Sequence, residues 1–317
     1  MTDPGADFTA ALAPLRPGLR LHCYRMLGSS HDSDDLVQET LLRAWRSRGS
    51  LEDPARIKPW LYRIATNACL DELARRSRRV LASELGPAAP GDTYPPAAPI
   101  EDAAWLEPMP DAWLTDAAAD PETRYALRES VALAFVAALQ VLSPAQRATL
   151  LLRDVVGLSA EDAAAALDQS VSAANSALHR ARIAIEDKVA HRAPAEFAAA
   201  PAPADQAVLA RYIRALETHD IDAMIALVHD DMHTTMPPSP TWVAGRADNI
   251  AFYRRMFAGW RDVQIGAVRI GVNGGAGCAF LRGGVVRAIE AIEVQGDKIH
   301  RMHHFMQPAV IALFGRS

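Results

Sequence analysis

Between Ser170 and Arg182, helical spacing turns Ser172, Ala173, Asn175, Ser176, His179, Arg180 and Arg182 toward one exposed side. Small and polar groups at the start of a helix, with arginines after them, suit entry into a major groove. There base edges offer hydrogen bonds and phosphates flank them. A second set, Arg63, Asn67, Asp71 and Arg75, repeats every four residues along one side of another helix. Asparagine has poor propensity in mid-helix, so Asn67 points to a task beyond folding. Arg75, Arg76, Arg78 and Arg79 follow as a basic cluster suited to gripping phosphate. Asp34, Asp35, Gln38 and Glu39 make a polar, acidic face. Nearer the C-terminus, His300, His303, His304, Asp222 and Glu290 are candidates for acid–base chemistry. On a strand His300 and His304 share a face but stand about 13 Å apart at strand rise, too far to ligate one metal.

Caps and periodicity name the elements that must hold these groups. Ser143-Pro144-Ala145-Gln146 predicts a capping box with Pro at the first helical position, and Gly157 suits that helix's end. Ser159 with Asp162 starts a second helix, and Asp168-Gln169 interrupts it. Ser170 caps a third, with Val171, Ala174 and Leu178 on its inner side. Short capped helices joined by a tight turn predict a helix-turn-helix. Upstream, a helix is expected from Leu12 to Leu27, ending at Gly28. In the next helix Asp34 and Asp35 are expected in the first turn, where the dipole favours acid, and Leu36, Val37, Thr40, Leu41, Ala44 and Trp45 face inward. Pro59 opens a helix over Trp60 to about Arg76 with Leu61, Ile64, Ala65 and Ala68 inside.

From Leu81 to Pro121 repeated prolines predict a long, acidic linker without regular structure. Trp105 and Trp113 are not needed in an inert linker, so this segment is expected to dock. A second Ala/Pro linker runs from Ala190 to Ala204. Beyond it come a helix with Val208, Tyr212, Ala215 and Leu216, another capped by Asp220, a short strand from His233 to Met236, and a helix over Asn249–Phe257. Strand-like runs then alternate with turns at Asn273-Gly274-Gly275, Gly283-Gly284 and Gln295-Gly296-Asp297, which predicts an α+β domain with an antiparallel sheet.

The chain's 317 residues allow two or three domains, and a net charge of −5 means any nucleic-acid surface is local. Cys23, Cys69 and Cys278 form neither a metal spacing nor a disulfide framework, which fits a reducing cytoplasm. No signal peptide and no membrane-spanning run is read, and no cofactor is implied.

Asp34-Asp35-Leu36-Val37-Gln38-Glu39-Thr40 and Trp60-Leu61-Tyr62-Arg63-Ile64-Ala65-Thr66-Asn67 resemble region two of the sigma-70-family factors of the extracytoplasmic-function (ECF) group. Ser143–Arg182 is similar to region four of that group, although Ala174 stands where a larger apolar residue is usual. Trp105-Leu106-Glu107-Pro108-Met109-Pro110-Asp111 resembles a linker motif of the ECF subgroup that carries an extra C-terminal domain, with Met109 replacing its usual Tyr. That domain is SnoaL-like, a conical α+β fold, and Met236-Pro237-Pro238, Pro240-Thr241-Trp242 and Gly245-Arg246 resemble it.

The resemblance implies two all-α helical domains plus a C-terminal α+β conical barrel. Region two covers 1–82, a Pro-rich acidic linker 83–125, region four 126–190, an Ala/Pro linker 191–204 and the SnoaL-like domain 205–317. It implies RNA polymerase core enzyme as partner for Asp34, Asp35, Gln38 and Glu39. Promoter DNA is the second partner. Its minus-ten element would meet Trp60, Arg63, Asn67, Asp71, Arg75, Arg76, Arg78 and Arg79. Its minus-thirty-five element would meet Ser170, Ser172, Ala173, Asn175, Ser176, His179 and Arg180. The linker would thread toward the polymerase cleft. The C-terminal domain is expected to regulate in cis, packing on region two or four, with a pocket for a small molecule as an open question. The alternative is a stand-alone helix-turn-helix regulator with a ligand-sensing or enzymatic C-terminal domain.

Overall fold

The computed structural model describes residues 4–101, 103–117, 127–190 and 203–315. The chain packs as two compact units. One comprises Met1–Arg79, Trp113–Arg124 and Ala134–Pro194, the other Val80–Ala112, Tyr125–Leu133 and Ala195–Ser317.

The first unit is helical. Helix α1 (Pro4–Leu12) leads through a 3-10 turn into α2 (Arg16–Leu27), so the expected continuous Leu12–Leu27 helix is interrupted. Pro14 and Pro17 cannot donate to a continuous ladder, which accounts for the break. Helix α2 stops at Gly28, whose φ of 66° is the left-handed conformation glycine adopts freely. Ser29 then caps α3 (Ser30–Arg46) by accepting the Asp32 amide at 3.1 Å. The cap lies early enough to make Asp32 the first-turn acid, rather than Asp34 and Asp35 as expected. Val37, Thr40 and Ala44 are buried, whereas Trp45 is 40% exposed, against the inward expectation.

Helix α4 runs Ile57–Arg75, with Leu61, Ala65 and Ala68 buried, and Arg76 is already extended. Helix α5 (Ala112–Ala117) lies inside the stretch expected to be irregular. The expected linker's residues 118–125 fall outside the described residues, as do 191–202 of the second linker. Helices α6 (Leu133–Leu139) and α7 (Pro144–Leu150) follow, and Ser143 with Gln146 completes the capping box. A π-helical turn over Leu151–Val155 leads to Gly157 at φ 76°. Ser159 caps α8 (Ala160–Ala166), Asp168 turns the chain at φ 51°, and α9 covers Val171–Ala190. Ala174 and Leu178 are buried as expected, but Val171 is 37% exposed. One apolar cluster joins Leu19, Cys23, Met26, Leu61 and Cys69 to Leu139, Leu151, Ala163 and Leu178. The N-terminal helices and the helix-turn-helix therefore share a core. Arg147 is buried within this unit and donates to the Met26 carbonyl and, at 2.7 Å, to Gln140 Oε1. Burial, then the nearby Arg78, lowers its pKa to about 10.

In the second unit, α10 (Pro203–Glu217) and α11 (Ile221–Ala226) precede β1 (Val228–Thr235) and β2 (Trp242–Ala244). Helix α12 (Arg246–Gly259) leads to β3 (Ile265–Val272), β4 (Gly275–Arg282), β5 (Val285–Gln295), β6 (Lys298–Phe305) and the closing helix α13 (Pro308–Phe314). The three glycine turns joining β3 through β6 are the expected hairpins. The sheet order is β2-β1-β6-β5-β4-β3. It is mixed rather than purely antiparallel, because β1 runs parallel to β6. Strand β1 is also longer than the expected His233–Met236. Val208, Tyr212, Phe252, Met256, Cys278 and Ile292 belong to its core.

The Pro-rich segment docks within this unit. Its Met109 and Asn273 exchange bonds, with the Met109 amide donating to Asn273 Oδ1 and the Asn273 amide to the Met109 carbonyl, each at 2.9 Å. The Gly274 amide donates to Asp111 Oδ1 at 2.6 Å. Upstream, the Ala89 amide donates to the Trp242 carbonyl at 2.8 Å, and Trp242 Nε1 to the Gly86 carbonyl at 2.9 Å. Gly91 lies so close to the Asp248 backbone that a β-carbon there would collide with it. Trp105, Leu106 and Met109 are buried, as a docking motif requires.

Candidate nucleic-acid interface and C-terminal pocket

In the first unit, helix α9 presents Ser172, Ala173, Asn175, Ser176, His179 and Arg180 to solvent. Ser170 serves as the cap, its Oγ accepting the Ala173 amide at 3.2 Å. Arg182 also faces outward but is held by Asp154 at 2.7 Å. This face offers hydrogen-bonding groups in the first two turns and, at Arg180, a charge with no ion-pair partner among the described residues, the arrangement a groove-reading helix needs.

The N-terminal surfaces are more internally paired than their sequence implies. Asp35 and Gln38 are exposed, while Asp34 bonds Arg20 at 2.7 Å. Glu39 and Asp71 both bond Arg43, at 2.8 and 3.2 Å, so one guanidinium ties the acidic face of α3 to α4. Trp60 is half-buried and donates to Ser50 Oγ at 3.3 Å. Asn67 is half-buried, and its amide has no partner among the described residues. Arg75 lies 3.6 Å from Glu72. Arg76 and Arg79 converge on Asp32, Arg76 at 2.9 Å, and Arg78 stays exposed. Burial alone would raise the Asp32 carboxyl, but Arg79 and then Arg76 hold it below its usual range. Arg63 is exposed and bonds Asp168 of the helix-turn-helix at 2.8 Å. Beside it Arg56 pairs with Asp162, and Lys58 Nζ donates to the Val156 carbonyl at 3.0 Å. Sequence spacing could not show Asp32, Asp162 and Asp168, because each meets its arginine only through tertiary packing.

The second unit holds a cavity of about 580 Å³. Of the acid–base candidates, the structure brings together Glu290 and His304 and leaves the other three elsewhere. Asp222 is exposed in the first turn of α11, His303 bonds Thr235 Oγ1 at 2.8 Å, and the His300 ring lies 5.1 Å from that of His229. Cys278, Glu290 and His304 are consecutive partners across β4, β5 and β6. Glu290 is 1% exposed, accepts from Tyr212 Oη at 2.9 Å and Cys278 Sγ at 3.1 Å, and shares a hydrogen bond with His304 Nδ1 at 2.8 Å. Burial, then the Glu290 charge, raises both the Tyr212 phenol and the Cys278 thiol well above their usual values, so both stay protonated and donate. Tyr212 and Cys278 look like ordinary core residues in sequence. Counting back from the glycine turns at 283–284 and 296 pairs Cys278 with Ile289 and Glu290 with His303; a register irregularity in each hairpin shifts the pairing by one residue and brings Cys278, Glu290 and His304 into line. Among the described residues no cluster of His, Cys, Asp or Glu is arranged to hold a metal ion, and no helix is long and apolar enough to cross a membrane.

Comparison with known proteins agrees with this layout. Residues 13–79 match the family model for sigma-70 region 2, residues 132–185 that for sigma-70 region 4, and residues 209–305 that for a SnoaL-like domain. The ECF RNA polymerase sigma factor SigG of Mycobacterium tuberculosis is 39% identical over 314 residues, which span 98% of this chain and 84% of that protein. SigE of Mycolicibacterium smegmatis, another ECF sigma factor, is 31% identical over 53% of this chain and 55% of its own length. The crystal structure of the Mycobacterium tuberculosis ECF sigma factor SigJ aligns over 96% of this chain and 98% of its own, with a TM-score of 0.60 at 21% identity, a likeness of fold.

Proposed function

The chain belongs to the extracytoplasmic-function RNA polymerase sigma factors, and from that premise we propose how its surfaces divide the work. As a member of this family it binds RNA polymerase core enzyme and promoter DNA to start transcription. Asp34, Asp35, Gln38 and Glu39 dock on a basic helical surface of the polymerase, because a polar acidic face beside a buried apolar stripe complements such a partner. Trp60, Arg63, Asn67 and Asp71 receive the minus-ten element. An unstacked base needs hydrogen bonds to its edge, and Asn67 is half-buried with an uncommitted amide. Arg75, Arg76, Arg78 and Arg79 hold the backbone. The exposed face of α9 reads the minus-thirty-five element, with Ser170 setting the helix start.

The chain acts in the cytoplasm, where its polymerase partner works, and as an initiation factor rather than an enzyme. Its C-terminal domain regulates in cis. One observation carries this reading: the Pro-rich segment that joins regions two and four in sequence is hydrogen-bonded to the C-terminal sheet through Met109, Asp111, Asn273 and Gly274. A domain that holds the connector of two DNA-reading regions has a direct handle on both.

Run-off transcription with reconstituted core polymerase tests both parts. Asp35→Lys with Glu39→Lys should abolish co-purification with core enzyme while leaving the fold intact, and unchanged binding would remove the docking assignment. Ending the chain at Ala204 should change output from a cognate promoter. Identical transcription by truncated and full chains would remove the cis-regulatory role.

A further inference from the structure

One side chain stands between the acidic face of α3 and the polar stripe of α4. Arg43 lies one helical turn after Glu39, and its Nε donates to Glu39 Oε1 at 2.8 Å. Its Nη1 donates to Asp71 Oδ2, on α4, at 3.2 Å. Among the described residues neither carboxylate has another partner. Both stay open to solvent, Glu39 with 41% of its side chain exposed and Asp71 with 53%. Two carboxylates therefore share one positive charge. When either finds a second cation, more of the guanidinium is left to the other.

The pairing has a different consequence for each acid. A carboxylate on a solvated helix face turns freely and aims its lone pairs in many directions. Held through Oδ2, Asp71 keeps one orientation, and Oδ1 remains to accept. A guanidinium restrains a carboxylate well because its donors stand in a fixed planar fork. The group such an acceptor selects on a base edge is an exocyclic amino group, which thymine lacks. Asn67, one turn earlier on the same side of α4, can donate and accept beside it. For Glu39 the pairing works the other way. A basic polymerase surface must displace Arg43 to reach Glu39, and Asp71 eases that step by drawing the guanidinium toward α4. By linkage, docking at Glu39 strengthens the hold of Arg43 on Asp71 by the same factor.

We infer that Arg43 is a positioning residue for minus-ten recognition: it aims the Asp71 carboxylate at a base edge, and capture of Glu39 by polymerase commits it to that task. This rests on the reading above that assigns Glu39 to polymerase docking and Asp71 to the minus-ten surface. The test uses the full-length chain, core polymerase and forked promoter DNA with a randomised minus-ten element. In the holoenzyme, Asp71→Asn should lower the preference for an amino-bearing base over thymine at one position, by roughly tenfold. Arg43→Gln removes the charge and should lower preference at that same position by roughly three- to fivefold, leaving the other positions alone. Arg43→Lys keeps the charge without the fork and should restore part of it. A merely structural loss would weaken binding at every position alike. Core affinity is measured separately, without DNA. There Asp71→Asn should weaken binding roughly two- to threefold although Asp71 lies outside the docking face, and should have no effect in an Arg43→Gln background.

A base profile changed by Asp71→Asn but untouched in a folded Arg43→Gln chain would overturn the positioning role and leave the minus-ten assignment standing. A profile that Asp71→Asn leaves unchanged would remove that assignment, and the positioning role with it. Core affinity that ignores Asp71→Asn, or responds to it equally without Arg43, would overturn the coupling. Should Arg43→Gln fail to fold, Arg43→Lys carries the same comparison, and a profile identical to that of the parent chain would count against the fork.

Discussion

At the scale of single residues, the two arginine populations of the proposed DNA-reading surfaces differ in what holds them. Arg180 is exposed and stands apart from any carboxylate among the described residues, so Arg180→Ala should weaken promoter binding evenly across sequences and lower the salt slope by about one. Ser172 and Asn175 stand at the start of the helix, where the proposed reading puts the base edges. Substituting them should alter preference at the upstream element by about 1–3 kcal/mol per lost base contact. A selection over randomised minus-thirty-five sequences distinguishes these outcomes, and unchanged preference in both variants would move the reading surface elsewhere. Arg76 and Arg79 are instead committed to Asp32. Asp32→Asn should cost about 1 kcal/mol of stability, discounted because Arg76 is half-exposed and screened. It should also raise non-specific DNA affinity, because the released guanidiniums become available to phosphate. The folded carboxyl is depressed, so its contribution is present above the unfolded value of 3.8 and is lost as pH falls from there through the lower folded value. Denaturant melts of both proteins should therefore converge in acid and differ at neutral pH. His22 works in a different pH window. Burial, then Arg25, lowers it to about 3, so between the ordinary 6.5 and that value only the unfolded chain takes up the proton and stability declines.

At the scale of elements, local signals were legible wherever a cap or a turn residue acts on its own neighbours. Ser143-Gln146, Ser159-Asp162, Ser170 and Asp220 cap as their spacing predicts, because capping is settled within four residues of chain. Ser143→Ala removes one half of a reciprocal pair and should cost about 1 kcal/mol in a thermal or denaturant melt; a change below a few tenths would show that the shared core alone fixes that helix start. The glycine turns likewise gave four of the six strands. What sequence did not show is non-local. The parallel pairing of β1 with β6 joins segments some seventy residues apart in sequence, and nothing in either strand's alternation encodes it. The same holds for the site. The exposed face of α9 follows from helical period alone, whereas the Tyr212–Cys278–Glu290–His304 cluster needs strand register and one helix placed over it. Helical spacing puts Trp45 on the apolar stripe with Val37 and Ala44, yet it is 40% exposed and its ring lies beneath Arg48, whose guanidinium carbon is 4.7 Å from the ring centroid.

At the scale of the whole molecule, the first unit brings together two regions that a promoter must read separately. Arg63 of the proposed minus-ten surface is committed to Asp168, whose carboxylate would repel a phosphate brought to the same guanidinium. Arg56 with Asp162 and Lys58 with the Val156 carbonyl reinforce that contact. Magnitudes decide how firmly it holds. Each exposed pair is worth about 0–1 kcal/mol and weakens with salt. The apolar contacts of Leu139, Leu151 and Leu178 with the N-terminal helices contribute more, because each fully buried leucine side chain is worth about 1.5–3 kcal/mol. Salt alone is therefore insufficient to separate the regions, whereas a polymerase that binds them apart can supply the difference. Asp162→Lys with Asp168→Lys replaces two attractions by repulsions without touching the core. The double variant should shift the balance toward separated regions by about 1–2 kcal/mol, roughly a tenfold rise in their population. Dyes at positions 75 and 179, on α4 and the exposed face of α9, report it as a growing long-distance fraction in single-molecule energy transfer. The rise should shrink as salt is added, since screening weakens the new repulsion as it did the old attraction. A distance distribution unmoved at low salt would mean that the shared core alone fixes the closed arrangement, and the ion pairs at Arg56 and Arg63 would then have no part in gating promoter access.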